Sequence, residues 1–147
     1  MPSKATVKKA KHELRAGKSP TTAAGEFVHE EIEHVRQGKH GARSTKQAIA
    51  IGLSKARRAG VPLKPPRQGR TSAGTRRAAE RDYETGQGRR TPRAPSPKRS
   101  RANLRRLQRY GSQAVSREAL SKQAKRAARS RAPASSRSRA KRRNAAT

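Results

Sequence analysis

The chain has 147 residues, with 39 Lys and Arg against 9 Asp and Glu, a formal net charge of +30 and a sequence pI near 12.0. Hydrophobic residues are 29%, aromatic residues 2% and the mean hydropathy is −1.19, against roughly 45–50% apolar residues in an average domain, which argues against one core running through the whole chain and predicts a mostly disordered protein carrying a small all-α helical hairpin of two to three short helices. The lack of cysteine excludes disulfides, cysteine-ligated zinc and a thiol nucleophile, and no apolar run approaches the roughly 18 residues that a membrane span needs.

The elements, in chain order, begin with a basic N-terminal segment, 1–19. Within it TVKKAKHELRA (6–16) predicts a short helix, capped by Thr6, with Val7, Ala10 and Leu14 at helical spacing and Gly17 after its end. The hairpin module, 20–63, follows. Ser19-Pro20 signals a restart, and a second helix begins there, or only near Glu26 because Gly25 interrupts. EFVHEEIEHVRQ (26–37) is the clearest helix: Val28, Ile32 and Val35 share one side with Phe27 at its edge, Glu26, Glu30 and Glu33 oppose them, and Gly38 ends it. TKQAIAIGLSKARRA (45–59) is the next, with Ser44 as N-cap, Gln47 completing a capping-box pattern, and Gly60 and Pro62 beyond its end. Gly52 lies on its apolar arc with Ala48, Ile49, Leu53 and Ala56, where it suggests a close approach of two helices, while Ile51 falls on the polar side.

Residues 64–103 read as a Pro/Gly/Arg linker with a short helix at 75–84, residues 104–130 as a basic helical segment broken near Gly111, and residues 131–147 as a disordered Arg/Ser/Ala tail. Charge is unequal along this order. Residues 1–84 hold 19 basic and 8 acidic residues, a net of +11, whereas 85–147 hold 20 basic residues and Glu118 alone, a net of +19.

The stretch from Glu26 to Gly60 carries a further pattern: Gly38, Lys39, Ser44, Lys46, Gln47, Ala48, Ile49, Ala50, Ile51, Leu53, Ser54, Ala56, Arg57, Arg58, Ala59 and Gly60. It resembles a family of small basic bacterial proteins of unassigned function that share a GK loop followed by S-x-KQAIAI-x-LS-x-ARRAG. The resemblance covers about a quarter of the chain and implies DNA binding only through charge. The Arg-, Ala-, Ser- and Pro-rich C-terminal half is similar in composition to linker-histone tails.

Catalytic motifs are not supported. His29 and His34 in HEEIEH stand at i and i+5, not the i and i+4 of a zinc peptidase helix, so the segment reads as a solvated acidic face with no metal. GKS (17–19) lacks the upstream glycine and strand of a phosphate-binding loop. No nucleophile–base set stands out, and neither an enzyme nor a cofactor is expected. Phe27, Tyr83 and Tyr110 are the only aromatics besides histidine, too few for a base-stacking platform.

What the sequence does carry is phosphate-binding chemistry. GKHGARST (38–45) places Lys39, His40 and Arg43 before a helix N-terminus, where free N–H groups favour an anion. Thr91-Pro92-Arg93 and Ser96-Pro97-Lys98-Arg99 could place cations in a narrow minor groove. The expected nucleic-acid contacts are Lys39, Arg43, Ser44, Lys46, Gln47, Lys55, Arg57, Arg58, Arg105, Arg106, Arg109, Lys125, Arg126 and Arg129. Lys46, Lys55, Arg57 and Arg58 are expected to dock the hairpin. The expectation is sequence-independent DNA binding by a nucleoid-associated protein of the cytoplasm. RNA or a ribosome is the alternative partner, a protein-interaction hairpin with a localising tail is another, weak self-association is allowed, and a membrane is not expected.

Overall fold

Serines start the helices. In the structure, a computed structural model that describes residues 1–131, Ser3, Ser19, Ser44 and Ser72 each accept a hydrogen bond on the side-chain oxygen from the backbone N–H three residues on, at Thr6, Thr22, Gln47 and Thr75. Each such bond satisfies one of the N–H groups that a helix start leaves open, and its loss typically costs about 1 kcal/mol. The helices so begun are α1 (Lys4–Arg15), α2 (Pro20–Arg36), α3 (Thr45–Arg58) and α4 (Ala73–Gly86). Two more follow, α5 (Pro97–Gln108) and α6 (Arg117–Arg131), with a single 3₁₀ turn at Gln113–Val115 between them. No strand occurs among the described residues.

This arrangement overturns the expectation of a mostly disordered chain with a small helical hairpin. α2 and α3 do not stand alone as a hairpin: α1 packs on α2, α4 packs on α3, and the 3₁₀ turn and α6 reach back to α3. Alanine explains why low hydropathy misleads. The first core gathers Ala10, Ala23, Ala24, Phe27, Ala56 and Val61, with Val7, Leu14, Leu53, Ala59 and Leu63 packed on it. The second gathers Val35, Ala42, Ala48 and Val115, with Ile32 and Ala114. Alanine adds little to hydropathy, yet it has the highest helix propensity and lets helix axes approach closely. A sequence of alanine, arginine, lysine and glutamate therefore forms helices readily, and small residues on their inner faces suffice to join them.

α2 and α3 approach closely. A Cβ added at Gly52 would stand 2.6 Å from Val28 Cα, so the close contact expected from the sequence is present, and glycine is required for it. Gly52→Ala is expected to destabilise the fold by about 1–3 kcal/mol through overpacking, although alanine alone would favour the helix by roughly 1 kcal/mol; urea unfolding measures the difference.

Several boundaries differ from expectation for physical reasons. α1 starts at Lys4 on Ser3 rather than on Thr6, whose N–H is the donor in the cap. α2 runs unbroken from Pro20 through Gly25, since glycine in a helix is tolerated where the flanking turns bury Ala23, Ala24 and Phe27. α4 extends the short helix expected at 75–84, and α5 takes up residues assigned to the linker. The expected tail lies outside the described residues apart from Arg131. Among the described residues, no helix is long and apolar enough to cross a membrane.

Candidate nucleic-acid interface and a buried charge cluster

Most of the acidic residues are paired with cations of the same chain. Glu13 pairs with Lys18 at 2.9 Å, Glu26 with Lys9 at 3.2 Å, Glu33 with Arg36 at 2.9 Å and Asp82 with Arg58 at 2.8 Å. Glu31 is 0% exposed and meets Lys55 at 2.6 Å. Glu30 accepts the Ser3 N–H at 2.8 Å. Burial opposes the charge on Glu30, but the Ser3 backbone and side chain, His34 and Lys55 outweigh it and hold its pKa below the ordinary value.

These pairings decide where the expected contact residues stand. Lys55 is committed to Glu31. Arg57 is 7% exposed and its Nε donates to the Leu63 carbonyl at 3.1 Å; desolvation by burial, opposed by Asp82, lowers its pKa. Arg58 and Ser54 clasp Asp82 of α4, the Ser54 hydroxyl at 2.5 Å. Much of the polar arc of α3 is thus a helix–helix interface. Its sequence could not reveal this, because the covering helix begins fifteen residues later, beyond a Pro-rich stretch. Ser44 caps α3, and the Gln47 side chain accepts the Arg43 N–H at 2.8 Å rather than that of Ser44. Lys39, Arg43 and Lys46 are exposed.

The remaining contact residues stand on α5 and α6. At about 100° per residue, Lys98, Arg101, Arg105 and Arg109 form one stripe along α5, flanked by Arg99 and Arg106; all six are exposed and none lies beside an acid in the sequence 97–109. The opposite face of α5, Ser100, Asn103, Leu104 and Leu107, looks across a cleft of about 580 Å³ toward Ala50, Ile51 and Ser54 of α3. Ile51, placed by sequence on the polar side, lines this cleft. On α6, Lys122, Lys125, Arg126 and Arg129 share an outer face and are exposed, while Ala119, Leu120, Gln123 and Ala127 are partly covered. Glu118 is the acid of this helix and pairs with Lys122 at 2.7 Å. The α6 segment is anchored through the 3₁₀ turn, where Val115 is buried and the Thr45 hydroxyl donates to the Ala114 carbonyl at 2.5 Å.

A third basic stripe, Lys4, Lys8, Lys11 and Arg15, runs along the outside of α1. It differs from the others in its neighbours. The groove between α1 and α2 is lined by Glu26, Glu30 and Glu33 together with Lys9 and Lys39, so acids stand on this side of the fold as they do not along α5.

The end of α2 builds a second feature. Gly38, at φ +71°, lets the chain reverse, with the Gly38 N–H donating to Val35 and the Lys39 N–H to His34, at 3.2 and 3.0 Å. This closure folds the next residue, His40, back over the last turns of α2. The Gly41 N–H donates to the Leu107 carbonyl at 3.0 Å, tying the loop to α5. His40 therefore lies with Nε2 3.0 Å from Glu31 Oε1 and with Nδ1 3.0 Å from the Gly41 carbonyl. His34 and His40 meet edge to face with ring centroids 6.4 Å apart. Desolvation, followed by Lys39 and Lys55, lowers the pKa of His34 against the pull of Glu30 and Glu31. The solvated acidic face expected for HEEIEH is thus only partly present, since Glu31 is fully buried. The sequence signal that could have found this cluster is Glu31-x-x-His34, one helical turn apart, followed by a histidine just past the glycine that ends the helix.

Comparisons with models of known protein families, with curated proteins and with solved structures returned no match.

Proposed function

We propose that the protein binds double-stranded DNA without sequence preference, through its backbone phosphates, and acts in the nucleoid. The observation that carries this reading is the sorting of charge. The acids of α1, α2 and α4 are mostly paired or buried, whereas the six cations of 97–109 and most of those on α6 point into solvent. A folded body that spends its carboxylates internally and exposes its arginines is a polycation toward any partner, and release of condensed counterions from DNA drives its binding. Arginine suits this task, because its planar fork grips phosphate oxygens in pairs.

The mode of docking differs from a recognition helix in the major groove. The polar arc of α3 is partly occupied by α4, so the surface assigned to phosphate is α5 and α6, with Lys39, Arg43 and Lys46 at the adjoining loop and helix start. Scarcity of aromatic side chains fits backbone contact rather than base stacking.

Competition at matched salt between a random-sequence duplex and ribosomal RNA tests the assignment. The duplex should displace labelled duplex at least as well per phosphate as ribosomal RNA does. Preferential displacement by ribosomal RNA would move the function to RNA.

A further inference from the structure

We propose that Glu31, His34 and His40 form a three-ligand site for a first-row divalent cation, zinc(II) by preference, which staples the loop after α2 to the last turns of that helix.

The three side chains each offer one ligand atom, and these atoms all lie within 4.8 Å of one another. They come from two places that the helix end brings together: Glu31 and His34 are one turn apart on α2, and His40 is returned onto that turn by the reversal at Gly38.

Hydrogen bonding makes the case. The Glu31 side chain is fully buried. Its Oε2 is satisfied by Lys55, but Oε1 has no hydrogen-bond donor. The His40 Nε2 stands 3.0 Å from that same oxygen. The other ring nitrogen, Nδ1, lies 3.0 Å from the Gly41 carbonyl, which can only accept. The His40 ring and the Glu31 carboxylate form no hydrogen bond, so Oε1 stays buried without a donor while His34 and His40 stand beside it. A cation held among the three side chains would satisfy Oε1 and use all three donors.

The surroundings are those of a metal site. A ligating histidine usually donates its second N–H to a carbonyl or carboxylate, which fixes the tautomer; the Gly41 carbonyl, 3.0 Å from His40 Nδ1, is placed to accept it. Lys55 holds the other oxygen of Glu31 and so presents Oε1 as a single ligand. Two imidazole nitrogens and one carboxylate oxygen form a donor set suited to zinc with one coordination position left open. Glu31 and His40 line the cleft between α3 and α5, from which water can fill that position. The protein's overall charge does not forbid the cation, because Glu30 and Glu31 balance Lys39 and Lys55 around the site.

The test uses the full chain, stripped with chelator and desalted, then titrated with zinc chloride by calorimetry and with cobalt chloride by visible absorption. One equivalent should bind per chain, cobalt should develop the intense bands of a low-coordinate site, and zinc should raise the melting temperature. His34→Gln and His40→Gln should each weaken binding by about tenfold or more and remove the cobalt bands, while His12→Gln and His29→Gln leave them unchanged. Circular dichroism confirms that each variant is folded. Absence of saturable binding, or binding that survives His34→Gln and His40→Gln, would overturn the site. So would a His40 ring whose nitrogen NMR signals show both protons in place at neutral pH and do not respond to zinc. Neither outcome bears on DNA affinity, which is measured separately.

Discussion

Replacing Lys98, Arg101, Arg105 and Arg109 by glutamine is expected to make the dependence of DNA affinity on salt shallower by about four in log–log slope, roughly one unit for each phosphate contact removed. If the intact protein contacts about 6–10 phosphates, as the proposed function implies, it should lose roughly 10³–10⁵ in affinity between 50 and 200 mM salt. The four residues stand in one stripe on α5, are fully solvent-facing and contribute no side chain to either core. Their loss should therefore change binding while leaving the helical circular dichroism spectrum intact. A charge-matched control exists on the same molecule. Changing Lys4, Lys8, Lys11 and Arg15 of α1 removes the same charge from another exposed stripe, on a helix whose other side forms a wall of the groove that holds Glu26, Glu30 and Glu33. The control should alter the slope by less than about one unit. Filter binding across a salt series distinguishes the two variants. Equal effects would mean that total charge, rather than its placement on the fold, governs affinity.

Phe27→Ala is expected to cost about 3–5 kcal/mol, a large share of the stability of a domain whose total is about 5–15 kcal/mol. Phe27 is 0% exposed and is the largest side chain of the first core, which it shares with Ala10, Ala23, Ala24, Ala56 and Val61. The alanines among these neighbours have no side-chain length with which to fill the space it leaves, so a cavity term should add to the lost burial. Thermal unfolding followed by far-ultraviolet circular dichroism should show a cooperative transition in the intact protein and a much lower or lost one in the variant. A mostly disordered chain would show neither a transition nor any response to this substitution.

Local signals were well written in the sequence. Ser44, Gly38 and Gly60 marked helix ends correctly, and Gly52 announced the approach of α2 to α3. What was hidden depends on distant partners. Glu31 looks like one more member of an acidic helix face, and its burial depends on Lys55 of the next helix and on His40 beyond the helix end. The buried face of α2 is Ala23, Ala24, Phe27, Glu31 and Val35, a regular helical series that a hydrophobicity count does not see because two members are alanine and one is charged. Arg57 and Arg58 look free until α4 is placed against them. The α5 stripe was obscured for another reason: Pro97 and the Arg- and Ser-rich run around it read as linker, although proline is well placed in the first turn of a helix.

Composition also misled in a specific way. Low hydropathy and high net charge usually leave too little apolar burial to offset chain entropy. Here the described residues reduce the burial required, through helix-favouring residues, serine caps and internal ion pairs. Much of the charge that remains unpaired stands on α5 and α6, helices that contribute little to the cores. Fold and binding surface are thus assigned to different residues, and α5 can be altered without touching what holds α1 to α4 together.

That separation is tested most directly by backbone amide chemical shifts of the full chain during titration with a short random-sequence duplex. The account predicts perturbations concentrated on α5, α6 and the Lys39–Lys46 segment, with α1 and the core-facing residues of α2 left in place. Perturbations spread evenly over every exposed cation, or centred on α1, would contradict it.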